Sequence, residues 1–159
     1  MKKGFILFIS CAMLMLVACD KDKKNKPETI TGESSAPAWS SPVDYDMTSS
    51  MTAVVRVDLA ISYSEQVAAL GKEYITDGDM LAAFSGDVCL GVDTMKQENN
   101  GLFFLFVTAP ESTDNNVQLK YYSSVLKNIF IASEPLTFRN DDVLGTVSEP
   151  LTPVFVKEK

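Results

Sequence analysis

The sequence contains no histidine, only three cysteines and a single tryptophan. Without histidine there is no Ser-His-Asp or Cys-His mechanism, no histidine-containing zinc site and no imidazole switch near neutral pH. Positive charge is scarce too: 14 Lys and Arg stand against 21 Asp and Glu, a formal net charge of −7. Phosphate binding needs clustered cations, so a nucleic-acid partner is not expected. No nucleophile elbow, P-loop, dinucleotide fingerprint or Cys-x-x-Cys occurs, so neither an enzyme nor a cofactor is expected. A chain of 159 residues holds about one domain's worth of material.

What is present begins at the N-terminus. Met1-Lys2-Lys3 is basic, and residues 4–18 carry no charge. That apolar run is shorter than the roughly 20 residues of a permanent bilayer span and has the layout of a secretory signal peptide. It ends Leu16-Val17-Ala18-Cys19, which resembles the lipobox of bacterial lipoproteins. The resemblance implies cleavage before Cys19, lipidation of its thiol and acylation of the new N-terminus. Several acyl chains, at about 0.8 kcal/mol per buried CH₂, would hold the protein on a membrane. Cys11 leaves with the signal and Cys19 goes to lipid, so Cys89 has no partner for an intramolecular disulfide.

The chain then divides into a signal peptide over 1–18, a flexible tether over 19–42 and one domain over 43–159. Between Asp20 and Pro42 the only large apolar residues are Ile30 and Trp39. So little burial cannot offset the entropy of ordering the segment. At roughly 5–6 Å × √n, such a tether averages about 25 Å from end to end. Its opening, Asp20-Lys21-Asp22-Lys23-Lys24, resembles the surface-export tag of Bacteroidetes-type lipoproteins. That implies the outer membrane, with exposure at the cell surface.

Beyond Met47 the signals are those of strands. Met51, Ala53, Val55, Val57, Leu59 and Ile61 alternate with Thr52, Val54, Arg56, Asp58 and Ala60, the period of a half-buried strand. Residues 81–92 read as a hairpin turning at Ser85-Gly86-Asp87, where Gly86 supplies the dihedrals a tight turn needs. Asn99-Asn100-Gly101 leads into the apolar run 102–107, which fits a strand covered on both faces. Val117, Leu119 and Tyr121 alternate with Gln118, Lys120 and Tyr122. Shorter strands follow at 128–132, 136–138 and 154–156, with a turn at Asn140-Asp141-Asp142. Residues 62–70 read equally as a helix stopped by Gly71 or as a strand extension and loop. Short strands with few helices indicate an all-β fold: an antiparallel β-sandwich, Ig-like or jelly-roll-like, with at most one short helix.

Three segments carry a further resemblance: Ser50-Met51-Thr52, the stretch from Gly78-Asp79 through Ala82-Ala83-Phe84 and Gly86 to Cys89-Leu90-Gly91, and Gly145-Thr146. Together they resemble a β-sandwich module of secreted Bacteroidetes proteins, over nearly the whole domain. Leu90 stands where that family often has arginine, so no role of that arginine carries over. The resemblance implies an exported, surface-linked sandwich and no defined activity.

Among candidate site residues, Asp77 and Asp79 are weak calcium ligands, because the spacing lacks the Asp-x-Asp-x-Asp-Gly loop and its distal glutamate. An Asx turn is the preferred reading of them, and no metal is expected. Asp141-Asp142 makes a poor catalytic pair, since neighbours on a strand point to opposite faces. Cys89, flanked by Val88 and Leu90, reads as a small hydrophobe with no cation nearby to activate it. The expected binding patch is Tyr122, Lys120 and Gln118 on one strand face, with Trp39 as a further stacking ring. The expected function is a lipid-anchored, non-catalytic binding or scaffolding module of the envelope that binds a glycan or an envelope protein. A structural subunit of a pilus-like assembly is the alternative, and a small hydrolase ranks below both.

Overall fold

The computed structural model describes residues 29–41, 47–110 and 116–158. The signal peptide, Cys19 and the start of the tether lie outside the described residues. The elements are β1 (Ser49–Arg56), α1 (Ala60–Leu70), β2 (Met80–Ser85), β3 (Val88–Thr94), β4 (Leu102–Ala109), β5 (Asn116–Ser123), β6 (Asn128–Ala132), β7 (Leu136–Thr137), β8 (Val143–Leu144) and β9 (Phe155–Lys157). They form a three-stranded sheet in the order β4-β1-β8 and a larger sheet in the order β3-β2-β5-β6-β9, with β7 also paired to β5. Among these pairings only β1 with β8 is parallel. Among the described residues the fold is mostly β-sheet with one short α-helix.

Both sheets contribute to a common core. Ala53 and Val55 of β1, Leu105 and Val107 of β4, Leu81 of β2, Tyr121 of β5, Phe130 of β6 and Phe155 of β9 belong to one buried cluster. Period two explains which side chains these are: Val55 is buried and Arg56 beside it is exposed. The alternation does not carry through to Ile61. The strand stops at Arg56, and Asp58 turns the chain by accepting the Ala60 N–H at 2.9 Å, so Ile61 lies exposed in the helix. That helix bends at Tyr63 (φ −138°, ψ 43°) and ends at Gly71 (φ 60°). The bend brings Tyr63 against Phe130, with ring centres 6.0 Å apart, where its hydroxyl accepts the Lys157 N–H at 2.7 Å.

The two sheets also meet at one edge, where β3 lies against β4. A β-carbon on Gly91 would fall 2.1 Å from the Phe106 carbonyl oxygen, so only glycine permits this approach. The Phe104 N–H donates to the Asp93 carboxylate at 2.7 Å, and the Thr108 hydroxyl to the Leu90 carbonyl at 3.4 Å. Burial raises the Asp93 carboxyl above its ordinary value, against the pull of that N–H.

Two expectations need correction. The apolar run of β4 is not covered on both faces. Leu105 and Val107 point inward, while Phe104 and Phe106 are 42 % and 56 % exposed on the outer face. Their cross-strand neighbours there are Val54 and Thr52. The stretch 29–41, counted with the tether, lies instead along the outer face of the larger sheet. Gly32 and Ser34 donate their N–H groups to the Leu126 and Lys127 carbonyls at 2.8 and 2.9 Å, and Ile30 is 2 % exposed. Further on, Trp39 meets Phe84 edge-on at 5.6 Å, and Ser41 accepts the Val92 N–H at 3.3 Å. The cause is long-range: Ile30 joins the common core and Trp39 meets Phe84 of β2, which a local count of apolar residues does not register.

This arm has a measurable consequence. A chain beginning at Ala38 lacks Ile30 and should be about 1.5–3 kcal/mol less stable than one beginning at or before Thr29. Urea denaturation of the two, followed by emission of the sole tryptophan, measures the difference. Equal midpoints would mean that the arm contributes nothing.

Candidate functional site

A cleft of about 810 Å³ opens where β2 begins and β3 ends, lined by the 72–77 segment, the 95–101 turn and Val67 of α1. The segment after the helix is anchored by Tyr74. Its hydroxyl accepts the Leu59 N–H at 3.0 Å and points its proton toward Asp58 at 3.4 Å. Burial raises this phenol above its ordinary value. The opposing turn is a short 3₁₀ stretch, Gln97–Asn99, followed by Asn100 in the left-handed region at φ 51°, which asparagine tolerates better than most residues.

The lining mixes several kinds of chemistry. Ile75, Met95 and Val67 are apolar, and Gln97 and Asn100 supply amides. Lys72 and Lys96 are matched by Glu73 and Asp77, all four exposed, so the cleft carries little net charge.

Behind the cleft lies a buried polar cluster centred on Asp79, which is 0 % exposed. One carboxylate oxygen accepts both the N–H and the hydroxyl of Ser124, each at 2.7 Å. The other accepts the Tyr121 hydroxyl at 2.6 Å and the Thr76 N–H at 3.1 Å. Four donors fill the carboxylate's acceptor sites. Because the Ser124 proton points at Asp79, it is Thr76 that donates in the 3.0 Å contact between the two hydroxyls. Asp79 is thereby saturated by protein donors, while Asp77 stands exposed on the turn. Among the described residues no group of three or more Cys, Asp or Glu is placed to hold a metal ion.

Tyr121 sets a pH limit on this cluster. Burial first, then the adjacent Asp79 carboxylate, holds its phenol well above the ordinary value. The folded state therefore keeps a proton that the unfolded chain gives up above about pH 10, and stability falls as pH rises through that window. Absorbance of tyrosinate during alkaline titration should show Tyr121 ionising only as the domain unfolds. Complete, reversible ionisation of every tyrosine in the folded protein near pH 10 would contradict this.

The four residues expected to bind a ligand do converge, on the outer face of the larger sheet, but not as an exposed patch. Tyr122 is 5 % exposed because the arm crosses it, and its hydroxyl reaches the Ser34 carbonyl at 3.4 Å. The Gln118 amide donates to the Ala132 carbonyl at 2.7 Å. Lys120 pairs with Glu158 at 2.8 Å and sits 5.4 Å from the centre of the Phe84 ring, which Trp39 meets. The open face expected for Tyr122 is corrected accordingly: Tyr122 lies under the arm, while Gln118 and Lys120 are engaged by β6 and the C-terminal segment. Cys89 is half-buried on β3, and burial raises its thiol, which keeps it in the unreactive form at neutral pH.

Sequence reasoning missed the cleft itself. Its only sequence signal was the polar interruption Lys96-Gln97-Glu98-Asn99-Asn100 between two apolar strands, which reads as a turn. Comparisons with known protein families, curated proteins and solved structures give no match to this chain.

Proposed function

We propose that the protein is a non-catalytic, lipid-anchored module of the bacterial cell envelope, exposed on the outer membrane, that binds saccharide in the cleft between 72–77 and 95–101. In this reading the two sheets form an antiparallel β-sandwich of Ig-like or jelly-roll type. The envelope address rests on the lipobox at Cys19. One observation carries the binding role: a cleft of about 810 Å³ with amides, carboxylates and apolar surface side by side and little net charge. That volume falls within the range of roughly 300–1,000 Å³ typical of small-ligand sites. Amides and carboxylates pair with sugar hydroxyls, while the part-exposed Ile75 and Tyr74 ring suit the C–H face of a pyranose.

The test is saccharide-array binding by the full chain, followed by calorimetry on each hit. Gln97→Ala and Asp77→Ala should each weaken binding about tenfold, equivalent to about 1.4 kcal/mol. Binding that ignores both substitutions, or no binding at all, would count against the cleft.

A second reading, a structural subunit of an envelope assembly, is favoured by the exposed Phe104, Phe106 and Val143 on the three-stranded sheet. Co-purification with an envelope protein that is lost in Phe106→Lys, without saccharide binding, would support it.

A further inference from the structure

We infer that the arm holds the cleft end of the domain close to the membrane bearing the lipid anchor, so that the saccharide recognised is one carried by a lipid of that membrane. The inference rests on the lipobox and cleft readings above, and adds to them the source of the ligand.

Its basis is the turn between β5 and β6, which touches both the arm and the cleft. On one side the Leu126 and Lys127 carbonyls accept the Gly32 and Ser34 N–H groups, and the Asn128 amide donates to the Ile30 carbonyl at 3.0 Å. The Lys157 ammonium ties down the Thr29 carbonyl at 3.1 Å. On the other side the Ser124 hydroxyl meets Thr76 at 3.0 Å, and the Ser123 hydroxyl donates to the Tyr74 carbonyl at 3.3 Å. Thr76 and Tyr74 both line the cleft. The entry point of the chain and the cleft therefore share one end of the domain.

Chain length then limits how far that end can stand from the lipid. At about 3.3–3.6 Å per residue, the path from Cys19 to Thr29 spans at most about 35 Å. A tether free as far as Pro42 would have reached about 80 Å by the same rule. Docking of the arm removes more than half of that reach. A site held at this height meets lipid-borne saccharides at high effective concentration, whereas long extracellular polymers gain no such advantage.

The experiment uses the acylated full chain in phosphatidylethanolamine vesicles containing a dansyl-labelled lipid. Trp39 is the only tryptophan and serves as the energy-transfer donor. Trp39 meets Phe84 at the hairpin end of β2, one strand length from the cleft. Transfer should therefore be measurable, and it should fall several-fold when a long Gly-Ser spacer is inserted after Asp20, outside the packed arm. In vesicles that also contain lipopolysaccharide, hydrogen exchange over 72–77 and 95–101 should slow several-fold. The same saccharide, stripped of lipid and supplied in solution at equal amount, should give little protection. Transfer unchanged by the spacer overturns the inference. Equal protection by the soluble saccharide also overturns it while leaving the cleft reading intact. No protection by either form overturns the inference and the cleft reading together.

Discussion

Replacing Asp79 with alanine is expected to destabilise the domain by about 3–5 kcal/mol, a large part of the 5–15 kcal/mol typical of a whole domain. The carboxylate accepts from the Tyr121 hydroxyl, the Thr76 N–H and both donors of Ser124. Alanine would strand these donors where water has poor access, and a buried donor left without an acceptor costs about 1–3 kcal/mol. Tyr121→Phe is the informative comparison. It removes a donor together with its hydroxyl and leaves the other three bonds, so its cost should stay near 1–2 kcal/mol. Urea midpoints of the two variants measure both effects. A loss below 1 kcal/mol in Asp79→Ala would mean that water replaces the carboxylate. Because Thr76 lines the cleft and the Met95 N–H donates to the Asp79 carbonyl at 2.8 Å, the Asp79→Ala variant should also loosen both sides of the cleft.

How far the fold was legible follows from the range of the interactions involved. Alternation placed Met51, Ala53, Val55, Val57 and Leu59 on the buried side of their segment, and all five are buried. Turn chemistry located the hairpin, since Gly86 at φ 57° joins β2 to β3. Gly71 at φ 60° stops the helix, which settles the reading of 62–70. These are local signals, carried by neighbours along the chain. The misread features depend on what lies on the far side of a strand. Alternation put Tyr122 with Gln118 and Lys120, on the face opposite Tyr121. It could not reveal that a segment nearly 90 positions earlier covers that face, as the Ser34–Tyr122 contact shows. The run 102–107 has the reverse problem, because six apolar residues look alike whether or not anything packs on their second face. The candidate site was the least legible part. Asp79 and Tyr121 meet across 42 positions, and the cleft is assembled from a helix end and two loops that sequence pattern treats only as connections.

The register of the three-stranded sheet can be tested by a pair of charge insertions. Val55→Asp is expected to abolish folding. Val55 is 0 % exposed, pairs with Phe103 of β4 and forms a parallel bridge to Leu151, so an aspartate there has neither solvent nor a cation. An unpaired buried charge costs several kcal/mol, enough to remove most of the stability of an average domain. Phe104→Asp adds the same charge one position along from Phe103, but on the outward face, where the native ring is already 42 % exposed. It should cost only about 1–2 kcal/mol, from the lost cross-strand contact with Val54 and lower strand propensity. Arg56→Ala, also outward-facing, should change stability by no more than about 0.5 kcal/mol. Soluble yield and thermal melts of the three proteins separate the cases. If Phe104→Asp unfolds as readily as Val55→Asp, the outer face of this sheet is covered in solution by something that excludes water. If Val55→Asp folds, the strand is turned the other way.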